Sequence, residues 1–243
     1  MKKWIIAAAL ASLAITAQAA EKIRFAASAT YPPFESLDGE NNLVGFDIDL
    51  AKALCQQMKA ECTFTNNAFD SLIPSLKFRR YDAVISGMDI TAERSKQVDF
   101  TQPYYANSAI VIARKGQFSH FSDLKGKRIG VENGTTHQKY LQEKHPEVKV
   151  VAYDSYQNAI LDMKSGRLDG VFGDSAVVNQ WLKSNPELAT VGEHVTDTDY
   201  FGTGLGIAVR KGNTALRDEF NQALAALKAN GSWQQLNQKW FPE

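Results

Sequence analysis

Strand-like and helix-like stretches alternate in two blocks of this chain, and that alternation restricts the fold more than any other feature. In the first block, EKIRFAAS (21–28) reads as a strand and YPPFE (31–35) as a turn. GFDIDLAKALCQQM (45–58) then places Ile48, Ala51, Cys55 and Met58 at helical spacing, with Asp47 as the expected N-cap. CTFTN is a strand, SLIPSLKF a short helix and DAVISG a further strand. The second block repeats the scheme: KRIGV, VKVVAY and DGVFG are strands, and THQKYLQEK, SYQNAILDMKSG and SAVVNQWLKSN are the helices between and after them. Strands separated by helices imply an α/β fold with mostly parallel sheets.

The blocks also echo each other in detail. RRYDAVISGMD ends at Asp89, and SGRLDGVFGD ends at Asp174. Each reads Arg-x-Asp-small-Val, then a strand, a glycine and a carboxylate. Two similar halves would each present an acid at the carboxyl end of a strand, where open α/β sheets bind ligands. PYYANSAIVIARK (103–115) and DYFGTGLGIAVRK (199–211) form a second pair, read as strands crossing between the halves, with Gly202, Gly204 and Gly206 giving freedom at the second crossing. No helix follows those glycines, so they are not a dinucleotide fingerprint. TALRDEFNQALAALKANGSWQQLNQKWF (214–241) is expected to be helical and to pack back on the first half.

The start of the chain stands apart. A basic MKK, an apolar WIIAAALASLAITA and a small-residue AQA have the form of a secretory leader, with cleavage expected between Ala19 and Ala20. The apolar run is too short to span a bilayer. Residues 1–19 are therefore read as a signal peptide, and the remainder as an exported, soluble protein. An oxidising compartment suits a bridge between Cys55 and Cys62, which would contribute about 2.5 kcal/mol by closing a short loop. Two buried free thiols are the alternative, and a metal site would need more ligands. Basic and acidic residues number 27 each, with no basic stripe, which argues against a nucleic-acid surface.

No catalytic signature is present: His120, His137, His145 and His194 are scattered, and there is no HExxH, nucleophile elbow or Walker loop. Complementary charge at element ends is present instead. Arg94 can hold a ligand carboxylate in a bidentate pair or be a solvated helix arginine. Gly134, Thr135 and Thr136 offer free N–H groups at a helix start, or an ordinary threonine cap. Asp174 can receive an ammonium or cap the following helix, and Asp89 resembles it. Tyr31 and Phe69 can supply aromatic faces for a flat cation, or belong to the core or rim.

ATYPPFE, VGFDIDLAKAL, FDSLIPSLKFRRYDAVISGMDITAERSKQVDFTQPYY, LKGKRIGVENGTTHQKY and GRLDGVFGD together resemble the periplasmic amino-acid-binding proteins of ABC importers, solute-binding family 3. The resemblance covers essentially the whole chain and is nearest to the arginine-binding members. It implies the type II periplasmic-binding-protein fold, with residues 20–107 plus 204–243 in one lobe and 108–203 in the other. It further implies a monomer in the periplasm that captures L-arginine and hands it to a membrane permease, with no cofactor, metal or catalytic residue. In that family the ligand side chain lies between the positions of Tyr31 and Phe69. The α-carboxylate is held at Arg94 and around Thr136, flanked by Thr135 and His137. The α-ammonium is held at Asp174 with Ser86 and Gly87, beside Met88 and Asp89. The cysteine pair matches a disulfide of the basic-amino-acid members.

One position departs from the pattern. Lysine/arginine/ornithine-type members carry an acid where this chain has Ser28, so a distal cation needs another partner, for which Glu35 is the candidate. Two rival readings remain: a receptor for other basic or polar amino acids, and an enzyme resembling cyclohexadienyl dehydratase, with Glu35 or Asp89 as its acid.

Overall fold

The structure is a computed structural model and describes residues 21–242. The expected leader lies outside the described residues. The chain runs β1 (Lys22–Ala27), β2 (Thr30–Tyr31), β3 (Glu35–Leu37), β4 (Leu43–Val44), α1 (Phe46–Met58), β5 (Glu61–Asn66), α2 (Phe69–Lys77), β6 (Ala83–Val84), α3 (Ala92–Ser95) and β7 (Val98–Phe100). It continues through β8 (Ala109–Arg114), β9 (Arg128–Glu132), α4 (Thr136–Lys144), β10 (Lys149–Tyr153), α5 (Tyr156–Lys164), β11 (Gly170–Asp174), α6 (Ser175–Ser184) and β12 (Leu188–Val195). It closes with α7 (Thr198–Phe201), β13 (Ala208–Arg210), α8 (Thr214–Ala229) and α9 (Ser232–Trp240).

Two five-stranded sheets form two lobes on one plan. The first has the order β5-β1-β6-β13-β7 and the second β10-β9-β11-β8-β12. In each, three parallel strands are followed by two that join antiparallel. The sequence echo is therefore structural: β6 and β11 are the third parallel strands of their sheets. Its Arg-x-Asp element has a definite job. Asp82 accepts from the backbone and guanidinium of Arg24, and Asp169 does the same for Arg128, so each aspartate ties the start of the third strand to the first.

The apolar strands after each crossing fall in opposite lobes, β8 in the second and β13 in the first. The crossings themselves are the short irregular stretches before them, where Leu205 bridges both Asp89 and Tyr105. Gly204 has φ 122, and a Cβ there would lie 2.5 Å from the Tyr105 carbonyl oxygen, so only glycine lets the crossings approach this closely. The C-terminal helices α8 and α9 pack on α1 of the first lobe, as the sequence suggests. Cys55 of α1 and Cys62 of β5 are disulfide-bonded, with Cα atoms 6.2 Å apart. Ile48, Ala51 and Cys55 are buried and Met58 half-buried, which accounts for their helical spacing.

Asp47 is not the N-cap of α1. The cap position is Gly45, and Asp47 points inward at 0 % exposure, accepting from the Gly87 N–H (2.7 Å) and the Tyr104 hydroxyl (2.8 Å). That demand from distant partners outweighs local capping. No helix among the described residues is long and apolar enough to cross a membrane.

Candidate functional site

The carboxyl ends of β6, β9 and β11 and the loop after β1 converge on a narrow pocket between the lobes. Arg94 reaches it from α3, whose cap Thr91 accepts from the Arg94 N–H. Its guanidinium donates to the Asp89 carbonyl (3.1 Å) and, across the cleft, to the Gly134 carbonyl (3.2 Å), and lies 5.5 Å from the centre of the Phe69 ring. Burial pulls the Arg94 guanidinium down, while Asp89 and Asp174 oppose that shift. Opposite stands the N-terminus of α4. Thr135 is its cap, accepting from the Gln138 N–H, and Thr136 donates its hydroxyl to Asp89 Oδ2 at 2.6 Å. Gly134 has φ 77, and a Cβ would come within 2.9 Å of Asp70 Cβ, so the α4 N-terminus meets the first lobe through bare backbone.

Asp174 occupies the cap position of α6 but makes no capping bond with its side chain. Its Oδ1 accepts from Asn107 Nδ2 (2.7 Å) and lies 3.0 Å from His137 Nε2. The same Asn107 amide donates to Asp89 Oδ1 (2.6 Å), so one side chain spans both acids of the sequence echo. Burial, then the charge of Asp174, push Asp89 up to about 7 against Arg94 and His137.

At the other end the Tyr31 ring stacks on Tyr156 of the second lobe (centroids 5.1 Å apart, 26° between planes), and its hydroxyl accepts from the Asp174 N–H. Two acids line this end. Glu35 Oε1 accepts from Ser86 Oγ (2.8 Å), and Glu132 Oε1 accepts from Thr30 Oγ1 (2.8 Å). Burial, reinforced by Asp47, raises Glu35 well above the ordinary carboxylate range. Burial likewise raises Glu132 to about 8, against the Thr30 bond.

Of the residues expected from sequence, Tyr31, Glu35, Phe69, Gly87, Asp89, Arg94, Thr135, Thr136, His137 and Asp174 line the pocket. Three do not. Ser28 and Ser86 stand behind the wall: the Ser28 N–H donates to Ser86 Oγ, which orients Glu35. Met88 is core, packed with Leu72, Leu76 and Val98. The chain turns here, with Gly87 at φ 49: Ser86 is directed onto Glu35 and Met88 into the core, which leaves Gly87 and Asp89 against the pocket. Sequence reasoning missed Thr30, Glu132, Tyr156 and the bridging Asn107. Only Glu132 carried a signal. It lies four residues after Arg128, as Ser28 lies four after Arg24, so the acid absent from the first lobe stands at the matching place in the second. No cluster suited to a metal ion occurs among the described residues.

A family model for bacterial extracellular solute-binding proteins, family 3, matches residues 23–243. The chain is 70 % identical over 243 residues to ABC transporter arginine-binding protein 1 of Escherichia coli (strain K12), covering 100 % of both chains. Among solved structures, an arginine-specific periplasmic binding protein of Salmonella typhimurium superposes with a TM-score of 0.88 at 56 % identity, over 91 % of this chain and 100 % of that one. An ancestral amino-acid-binding protein, a precursor of cyclohexadienyl dehydratase, superposes at 0.83 with 32 % identity, over 90 % of this chain and 95 % of that one. The chain belongs to the family 3 extracellular solute-binding proteins.

Proposed function

We propose that this protein captures one L-arginine between its lobes and delivers it to the membrane permease of an ABC importer, without bond chemistry. The observation that carries the reading is charge. Among the described residues the pocket is lined by four carboxyl groups, Glu35, Asp89, Glu132 and Asp174, against the single guanidinium of Arg94 and the imidazole of His137. A ligand with a cationic side chain offsets that excess, and burial without it makes the acids hold protons.

The α-carboxylate pairs with the N–H groups that Arg94 has left over and with the N-terminus of α4. The α-ammonium lies against Asp174 and Asp89. The guanidinium runs between the aromatic rings, and its edge meets the acid end. Glu132 supplies there, from the second lobe, the charge that Ser28 does not supply from the first, and Glu35 lies beside it. The 70 % identity to an arginine-binding relative supports the same ligand. The expected leader, cut between Ala19 and Ala20, and the disulfide fit a monomer working in the periplasm. Its lobe boundaries fall at 107/108 and 203/204.

A thermal-shift panel of the twenty amino acids with ornithine and citrulline tests the reading. Arginine at a hundred times its Kd adds about 2.7 kcal/mol of stability, or roughly 5–10 °C in Tm for a chain of this size. Arginine should give the largest rise, and a larger rise with another amino acid would displace it. Aromatic product from prephenate would instead favour an enzyme resembling cyclohexadienyl dehydratase.

A further inference from the structure

Glu35 of β3 and Asp47 of α1 are fully buried neighbours, and each carboxyl group acts on the other. Glu35 Oε1 is taken by the Ser86 hydroxyl, and Asp47 Oδ2 by the Gly87 N–H and the Tyr104 hydroxyl. The remaining oxygens, Glu35 Oε2 and Asp47 Oδ1, are buried with no donor among the described residues. Two carboxylates have only acceptors to offer each other, so a bond between them requires a proton on one. The groups that face the pair are Ser86 and Gly87 beyond β6, Tyr104 from the first crossing and Glu132 from β9. None of these is a cation. Asp47 already accepts two bonds and is the better anion. Glu35 borders the pocket and is the better acid.

We propose that Glu35 and Asp47 share one proton in the empty protein, carried on Glu35, and that capture of a cationic side chain releases it to solvent. The Glu35 O–H bond breaks, the proton leaves to water or buffer, and the carboxylate left behind faces the ligand cation. This rests on the reading of the pocket as an arginine site. Asp47 lines no part of the pocket and acts through Glu35, as a positioning residue. Burial raises Glu35 well above the ordinary carboxylate range and Asp47 to about 7, in keeping with a retained proton at neutral pH. Proton and ligand compete for one carboxylate, so arginine binds tighter as pH rises through the range in which the pair titrates.

Calorimetry of arginine binding in buffers of different ionisation enthalpy, between about pH 6 and 8, counts the protons released. Asp47→Asn keeps an acceptor for Gly87 and Tyr104 and turns its N–H toward Glu35, which then needs no proton. Asp47→Asn and Glu35→Gln should each release about one proton fewer than the parent and flatten the pH dependence of Kd. An unchanged proton count in both variants would overturn the proposal. Burial also raises Glu132 to about 8, and the difference between parent and variants removes its contribution. Infrared spectra of the ligand-free proteins test the pair directly: the parent should show a protonated-carboxyl band at neutral pH that Glu35→Gln loses. No such difference refutes the shared proton, whatever the ligand proves to be. A band present in a protein that fails to bind arginine at any pH refutes the release step and the arginine reading together.

Discussion

In the first lobe Arg24 is tied to Asp82, and in the second Arg128 is tied to Asp169, through the same backbone and guanidinium bonds. Past those ties the lobes diverge. β11 runs unbroken to Asp174, whereas β6 stops at Val84, and the chain turns through Ser86 and Gly87 before reaching Asp89. The break frees the Gly87 N–H for Asp47 and sets Ser86 behind Glu35. At the ends of the first parallel strands the contrast is sharper, with Ser28 in one lobe and Glu132 in the other. Groups that hold a sheet together are copied between lobes, and so are the pocket acids Asp89 and Asp174, but the acid past the first parallel strand is not. A ligand with different ends needs such an asymmetric cleft, built here on two nearly equivalent sheets.

If Arg94 and Asp174 grip the carboxylate and ammonium that every amino acid shares, losing either should cost most. Arg94→Ala and Asp174→Ala should each weaken arginine binding by about 2–4 kcal/mol, because each leaves a buried ligand charge unpaired. Circular dichroism should show the fold intact, and near-normal affinity by calorimetry would remove that residue from the site.

The position where the lobes differ should matter next. Glu132→Gln should cost arginine about 1–3 kcal/mol while leaving citrulline nearly unaffected. It should also change stability with pH. Burial holds Glu132 at about 8 in the fold, so the empty parent loses stability as pH climbs from the ordinary carboxylate range to about 8. The glutamine variant should lack that decline in urea titrations at several pH values.

Gly134→Ala probes the contact between lobes. A side chain at positive φ costs roughly 1–2 kcal/mol, and the added Cβ would press on Asp70. Loss of affinity together with stability is expected, and an alanine variant indistinguishable from parent in both would show that the lobes need not approach there.

The smallest effects belong to the copied ties. Asp82→Asn and Asp169→Asn should each lower stability by about 0.2–1 kcal/mol, because the arginines are half exposed. Burial pushes both carboxyls up, but the arginine bonds outweigh it and hold them below the usual value. Their contribution is therefore present at neutral pH and is lost as pH falls through the folded-state values. Equal losses, with arginine affinity unchanged, would support the equivalence of the two ties, and a large change in affinity for either would break it.

The alternation of strands and helices was legible because the core strands are continuous apolar runs and the helices keep one buried stripe. Most of the pocket was legible because its residues sit at element ends in long, ordered motifs. What escaped depended on partners far away in sequence. Asp47 sits where a cap belongs locally, and only the Gly87 N–H and the Tyr104 hydroxyl draw it inside. Met88 and Ser86 share a motif with Gly87 and Asp89 but face the other way. Asn107 spans two acids from an irregular crossing with no local signature. Glu132 was hidden by its apolar strand and becomes visible only when the two lobes are aligned on Arg24 and Arg128.

The central claim is that the acid end of the pocket reads a guanidinium, and competitive calorimetry with arginine, lysine and citrulline tests it most directly. A flat, weakly hydrated cation suits aromatic faces and a carboxylate at its edge better than a compact ammonium does. Arginine should bind at least about tenfold tighter than lysine, or roughly 1.4 kcal/mol, and tighter than citrulline, which has its shape without its charge. Lysine equal to arginine would contradict the stacking, and citrulline equal to arginine would show that no carboxylate is reading the charge.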